Sequence, residues 1–146
     1  MNIRKATKND INQIIDIINN NLTVINALDY PKPVIDFMLA YYSKENIDKW
    51  IDDFTLFLVA EEDAKVVGNV ALDGNELKAL YVAPKKQGKG IGRKLINDLE
   101  NRSKGKKIFM YASLTAYDFY TRLGYTTVRK EEDPQMGMAC LMEKEL

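Results

Sequence analysis

The sequence predicts a mixed α/β domain of seven strands and about four helices, and three observations carry that expectation. Segments rich in β-branched and aromatic residues between positions 54 and 83 are separated only by short turns. Stretches before and after them repeat apolar residues at helical spacing. The 146 residues contain no linker, internal repeat or low-complexity tract, so a single domain spanning 1–146 is expected.

In chain order, MNIRKAT suits a short first strand. Thr7 and Asp10, three apart, form an N-cap arrangement for a helix from about Asn9 to Leu22. Ile11, Ile14, Ile15, Ile18 and Leu22 place one apolar stripe on it. YPKPV breaks the chain, and Pro33 suits the first turn of a second helix carrying Ile35, Met38, Leu39 and Tyr42. Ser43 is placed to cap a further short helical piece reaching Trp50. FTLFLVAEE, KVVGNVALD and ELKALYVA read as three antiparallel strands, with a hairpin signal at Asp73-Gly74-Asn75. A helix from Ile91 to about Ser103 presents Ile91, Leu95 and Leu99 on one face, and KKIFMYA is a fifth strand. LTAYDFYTRLG is a short helix stopped by Gly124. YTTVRK and GMACLMEKEL close the chain as two strands around a loop at EEDPQ.

Composition excludes several chemistries. There is no histidine, which removes a His-based triad, a histidine base and His-ligated zinc. The one cysteine, Cys140, excludes an internal disulfide and a multi-cysteine metal site, and its neighbours in MACLM suit a buried strand thiol. No metal is expected. Net charge is zero, which gives no support for nucleic acid as a partner. The first residues lack a signal-peptide pattern and no apolar run approaches the ~20 residues of a membrane span, so a reduced, cytoplasmic setting with no membrane partner is expected.

The balanced total conceals a local imbalance, since six basic residues and no acid fall between Leu77 and Asn97. Within PKKQGKGIGRKL, Gly88, Gly90 and Gly92 alternate among Lys85, Lys86, Lys89, Arg93 and Lys94. No Gly-Lys pair here is followed by Ser or Thr, so it is not a Walker A loop, and position 93 is arginine where a dinucleotide fingerprint needs glycine. The shared physics of those motifs remains. A strand leads into a glycine-rich turn and then a helix start, whose free N–H groups attract an anion. Read from the residues alone, the stretch is either such a phosphate site or a solvated basic loop capping a surface helix.

LYVAPKKQGKGIGRKLINDLE resembles the acyl-CoA-binding segment of the GNAT superfamily of N-acyltransferases, whose Gln/Arg-x-x-Gly-x-Gly/Ala pattern is matched by Gln87, Gly90 and Gly92. ASLTAYDFYTRLGY is similar to the family's second segment through Ala116, Phe119, Tyr120, Gly124 and Tyr125, and IRKATKND resembles its usual start. The resemblance covers essentially the whole chain. It implies a three-layer fold whose mostly antiparallel sheet is splayed between strands 4 and 5, with acetyl-CoA as co-substrate and an amine, small-molecule or peptide, as acceptor. It further implies that the backbone of Leu80, Tyr81 and Val82 pairs with the pantetheine arm, with the N–H near Leu80 aimed at the thioester carbonyl. The amides of Gly88, Lys89, Gly90, Ile91, Gly92 and Arg93 would hold the pyrophosphate, and a nearby lysine the 3′-phosphate. Ser113 stands where many relatives have Asn.

For catalysis the resemblance makes Tyr120 the general acid for the departing thiolate, against the alternative of a core tyrosine packed on Phe119. Glu76, six residues before Val82 and expected on the same strand face, is the candidate base, against a solvent-exposed hairpin end with ordered water as the base. Tyr30, Tyr41, Tyr42 and Trp50 are either acceptor-site walls or buried packing. Relatives also dimerise through the C-terminal strands, which makes a homodimer a candidate assembly. The alternative function is a non-catalytic acyl-CoA-binding or regulatory module on the same fold.

Overall fold

Side chains along residues 56–60 alternate between two apolar cores, with Leu56, Leu58 and Ala60 on one side and Phe57 and Val59 on the other. A strand buried on both faces needs cover on both, and this sets the three-layer architecture. The computed structural model describes residues 1–134 and 137–146. Its elements are β1 (Asn2–Lys5), α1 (Ile11–Val24), α2 (Lys32–Tyr41), α3 (Lys44–Asp53), β2 (Leu56–Glu62), β3 (Lys65–Asp73), β4 (Glu76–Val82), α4 (Ile91–Asn101), β5 (Lys107–Ser113), α5 (Tyr117–Arg122), β6 (Thr126–Asp133) and β7 (Gly137–Glu145). The seven strands form one sheet in the order β1-β2-β3-β4-β5-β7-β6. All neighbours are antiparallel except β4 and β5.

Helices α1, α2 and α3 cover one face. Ile11, Ile14, Ile18 and Leu22 of α1 pack there with Phe57, Val59 and Ala71. Ser43 caps α3 by accepting from the Asn46 N–H at 3.1 Å, as expected, but the helix continues past Trp50 to Asp53 because Trp50 stacks on Phe54. Helices α4 and α5 cover the other face, with Ile91, Leu95, Ile96 and Leu99 fully interior. Among the described residues there are therefore five α-helices where about four were expected.

Two boundaries differ from the expectation in an informative way. The first helix begins with a 3-10 turn over Lys8–Asp10 and extends to Val24. The EEDPQ segment is not a loop over most of its length. β6 runs on to Asp133, which pairs with Gly137, because the long partner β7 continues the ladder past residues of poor strand propensity. Gln135 lies outside the described residues.

The start of α1 is fixed by charge. Arg4 donates from Nη1 and Nη2 to the two Asp10 oxygens at 2.8 and 2.9 Å and from Nη2 to Glu61 at 2.8 Å, while the Thr7 N–H donates to Asp10 at 2.8 Å. Asp10 is buried, and the Arg4 guanidinium, helped by the Thr7 N–H, holds its carboxyl below the usual range against the opposing effect of burial. A depressed folded pKa means the stabilisation is complete above the unfolded value and is lost as pH falls through the folded one. Asp10→Asn is expected to lower unfolding free energy by about 1–3 kcal/mol at neutral pH. Urea denaturation between neutral pH and pH ~2 should show a shallower acid loss in the variant than in the wild type.

Candidate functional site

β4 and β5 share one registered pair, Glu76 with Phe109, supported by the Phe109 N–H donating to the Asn75 carbonyl at 2.9 Å. Beyond it the strands part. Their divergence opens a cleft of about 520 Å³ whose walls include Tyr42, Glu76, Leu80, Tyr81, Ala112 and Tyr120.

The edge of β4 that faces this wedge is distorted. Asn69 pairs with Tyr81 and Ala71 with Lys78, so β4 holds one more residue than β3 across that interval. Ala79, inside the bulge, has φ of 55°, an uncommon value for a residue with a Cβ. The extra residue reverses the facing of side chains. Leu77 lies in the α4-side core, Leu80 and Val82 pack against that same core, and Ala79 and Tyr81 belong to the α1 side. Glu76, next to Leu77, therefore falls on the face of Lys78 and Tyr81, opposite Val82. This corrects the same-face expectation, which counted an unbroken alternation.

At the far end of β4 the chain turns through Pro84–Lys86 into α4. Gly88 and Gly90 have φ of 77° and 82°, and an added Cβ would meet nothing within 4 Å at either, so these glycines are there for backbone conformation. Gly92 differs: a Cβ there would lie 3.3 Å from the Phe119 ring, so its absence lets α5 pack on α4. The six amides from Gly88 to Arg93 have no acceptor among the described residues. Lys86 pairs with Glu62 at 2.9 Å, whereas Arg93 and Lys94 enter no ion pair among the described residues. An anion in front of this turn would meet aligned N–H groups and unneutralised cations.

Gln87 does something the spacing did not show. Its Nε2 donates to Asn21 Oδ1 at 2.8 Å and to the Val82 carbonyl at 3.2 Å. Asn21, buried on α1, donates to the same carbonyl at 2.8 Å. The Gln87 side chain thus ties the glycine turn to α1, and the Val82 carbonyl is already engaged. Ser113 lines the cleft, and its Oγ accepts from the Ala116 N–H at 3.2 Å at the entry to α5.

Tyr120 is 4% exposed, lines the cleft, and its hydroxyl has no hydrogen-bond partner among the described residues. Burial, with a smaller contribution from Tyr42, pushes its pKa well above the ordinary phenol value, so it stays protonated. Tyr81 is likewise pushed up by burial, to about 12. Glu76 is half-buried, and desolvation raises its pKa while Lys78, at 3.8 Å, opposes the rise. Of the aromatic candidates, Tyr41 and Tyr42 reach the cleft wall, whereas Trp50 packs among Tyr41, Tyr42 and Phe54 outside it. Tyr30 lines the cleft and also bridges it. Its hydroxyl donates to the Met138 carbonyl at 2.8 Å and accepts from the Leu114 N–H at 2.9 Å.

Two residues of the site went unnoticed in the sequence, Asn21 and Asn69. Each was signalled by a polar side chain on a buried stripe, Asn21 three residues after Ile18 on the apolar face of α1 and Asn69 inside VVGNVAL. Among the described residues no group of His, Cys, Asp or Glu is placed to hold a metal ion, and no helix is long and apolar enough to cross a membrane.

A three-layer domain whose sheet splays at a bulged strand and runs into an amide-lined helix start has the architecture of an N-acetyltransferase. Residues 27–146 match the acetyltransferase (GNAT) domain family, and the chain belongs to that family. An N-acetyltransferase of Methanocaldococcus jannaschii, described as uncharacterised, is 28% identical over 146 aligned residues, covering 84% of this chain. The chain spans 59% of that relative's length. Among solved structures, a GCN5-related N-acetyltransferase from Rhodopseudomonas palustris superposes with a TM-score of 0.90 at 22% identity, covering 99% of this chain and 95% of that one. The PaiA N-acetyltransferase of Thermoplasma acidophilum, solved in complex with coenzyme A, gives 0.80 at 24% identity, covering 99% and 98%. At these identities the two structures establish the shared fold.

The glycine turn makes a separable prediction. Gly90→Ala places a Cβ on a left-handed backbone, a strain of about 1–2 kcal/mol that the turn relieves by moving its amides. Calorimetry should find acetyl-CoA binding weakened about 5- to 30-fold. Gly105→Ala, at φ of 86° in a loop away from the cleft, carries the same strain and should leave that affinity within about twofold.

Proposed function

We propose that this chain transfers an acetyl group from acetyl-CoA to the unprotonated nitrogen of an amine by direct attack within a ternary complex. One observation carries the reading: the unpaired edge of β4 opens onto the cleft and leads into six amides that have no acceptor among the described residues. An extended, amide-bearing chain ending in phosphates fits that geometry, with Leu80, Tyr81 and Val82 beside the arm and Gly88 to Arg93 around the pyrophosphate. Gln87 supports the turn from behind.

Acetyl-CoA supplies the acetyl group as a thioester. The Leu80 N–H faces the carbonyl oxygen and stabilises the negative charge that develops there, a contribution typically of about 100- to 1,000-fold in rate. Glu76 takes the proton that the amine nitrogen loses as it bonds to the carbonyl carbon. As the carbon–sulfur bond breaks, the electron pair goes to sulfur and Tyr120 donates a proton to it. A phenol is a weaker acid than a thiol, with reference values near 10 and 8.5, so complete transfer is uphill by about 2 kcal/mol in water. Desolvation in the apolar wedge raises the thiol as well as Tyr120, so the burial of Tyr120 is not the only shift acting on that gap. The products are the N-acetyl amine and the free thiol; Glu76 then releases the amine's proton to solvent and Tyr120 regains one from solvent, which restores both groups with no net proton change.

Three carboxylates, Glu76, Glu131 and Asp133, line the cleft, of which Glu76 lies 3.8 Å from Lys78 and Glu131 pairs with Arg129. Lys78 is the one basic residue among the described lining residues. Carboxylates there favour an acceptor carrying positive charge beyond the reacting nitrogen.

Thiol release measured against polyamines, aminoglycosides and lysine-containing peptides tests the reading. Turnover with at least one of these cations is expected, and tight acetyl-CoA binding with no turnover on any of them would instead support a binding module. Tyr120→Phe should lower kcat about 100-fold or more while leaving acetyl-CoA affinity intact, and an unchanged rate removes Tyr120 from the mechanism. Glu76 works ionised, so kcat/KM should fall as pH drops through its raised pKa. Glu76→Gln should abolish that acidic limb.

A further inference from the structure

We infer that Asn69 is a positioning residue for acyl transfer: it holds the bulged peptide of β4 so that the Leu80 N–H points into the cleft. The inference rests on the role given to Leu80 above. Asn69 is fully buried on β3, on the α1 side of the sheet, and its Nδ2 donates to the Ala79 carbonyl at 2.7 Å. That carbonyl and the Leu80 N–H belong to one peptide unit. No peptide bond among the described residues is cis, and in a planar trans peptide the C=O and the N–H point in opposite directions. Drawing the Ala79 oxygen toward β3 therefore turns the Leu80 N–H away from β3, toward the wedge between β4 and β5. Leu80 and Ala79 both line that wedge.

Two further observations indicate that the contact is retained for this purpose. Ala79 sits at φ of 55°, so the peptide needs an external hold to keep an orientation that its own residue disfavours. Among the described residues Asn69 Oδ1 is buried with no hydrogen-bond partner, a liability of about 1–3 kcal/mol that a valine or leucine at this position would avoid. The amide is thus present for its donor alone.

Three variants and two readouts test this. Asn69→Leu removes both polar atoms at similar size and should lower kcat about 10- to 100-fold, while affinity for CoA, which lacks the acyl carbonyl, stays within about threefold. Infrared spectra of bound [1-13C]acetyl-CoA read the hydrogen bond directly. The carbonyl band should lie lower in wild type than in Asn69→Leu. Asn69→Asp offers a rescue, because a fully buried carboxyl is held protonated and donates in that form. Its kcat relative to wild type should rise as pH falls, whereas the ratio for Asn69→Leu stays flat. Asn69→Ala is the check should Asn69→Leu fail to fold, with the same carbonyl shift expected. Near-wild-type kcat in a folded variant, an unmoved carbonyl band, or parallel losses of CoA affinity and kcat would each overturn the inference. A wild-type band no lower than that of free acetyl-CoA would instead overturn the role of Leu80 itself.

Discussion

β4 and β5 run parallel and share a single registered pair, Glu76 with Phe109, and most of what the rest of the molecule does follows from that interrupted ladder. An unpaired strand edge inside a sheet leaves backbone donors and acceptors that water or a ligand must satisfy. The flanking layers keep the gap open and keep it in place. Tyr30 reaches across from the α1 side to hold the chain just past β5 and the carbonyl of Met138 on β7. On the opposite face Tyr125 donates to Glu100 at 2.8 Å, and Lys144 reaches both Glu100 and the Leu123 carbonyl, which anchors α5 and its tyrosine. The wedge is a built feature of the packing.

Among the described residues the glycine turn carries amides without acceptors and, in Arg93 and Lys94, cations without ion pairs, while Glu76, Glu131 and Asp133 and buried tyrosines whose pKa values burial drives upward line the cleft. The arrangement suits the proposed donor, with its anionic end at the glycine turn and neutral proton-holding groups along the cleft. Asn21 joins the two halves, since one α1 side chain contacts both the end of β4 and the glycine turn.

Much of the fold was legible because its signals are local. The Thr7–Asp10 cap, the Ser43 cap, the hairpin at Gly74 and the glycine stop at Gly124 each act within a few residues. The glycine turn was legible as an anion site for the same reason, and in the structure its glycines divide the work, two for positive φ and one for contact with Phe119. What the sequence could not show depends on pairing across the sheet. One extra residue opposite β3 moves Glu76 to the other face from Val82, and β6 is longer than its composition suggests because β7 supplies a partner. Asn21 and Asn69 are polar residues on buried stripes. The sequence marks them as exceptions, and only the carbonyls they face give them a role.

Amide hydrogen exchange with and without CoA, followed residue by residue, tests most directly that the wedge and the glycine turn form one cofactor site. Protection is expected at the amides of Gly88 to Arg93 and along Leu80 to Val82, with the edge strand β6 unchanged. Binding of CoA that leaves Gly88 to Arg93 unprotected, or that protects another face of the sheet, would contradict it.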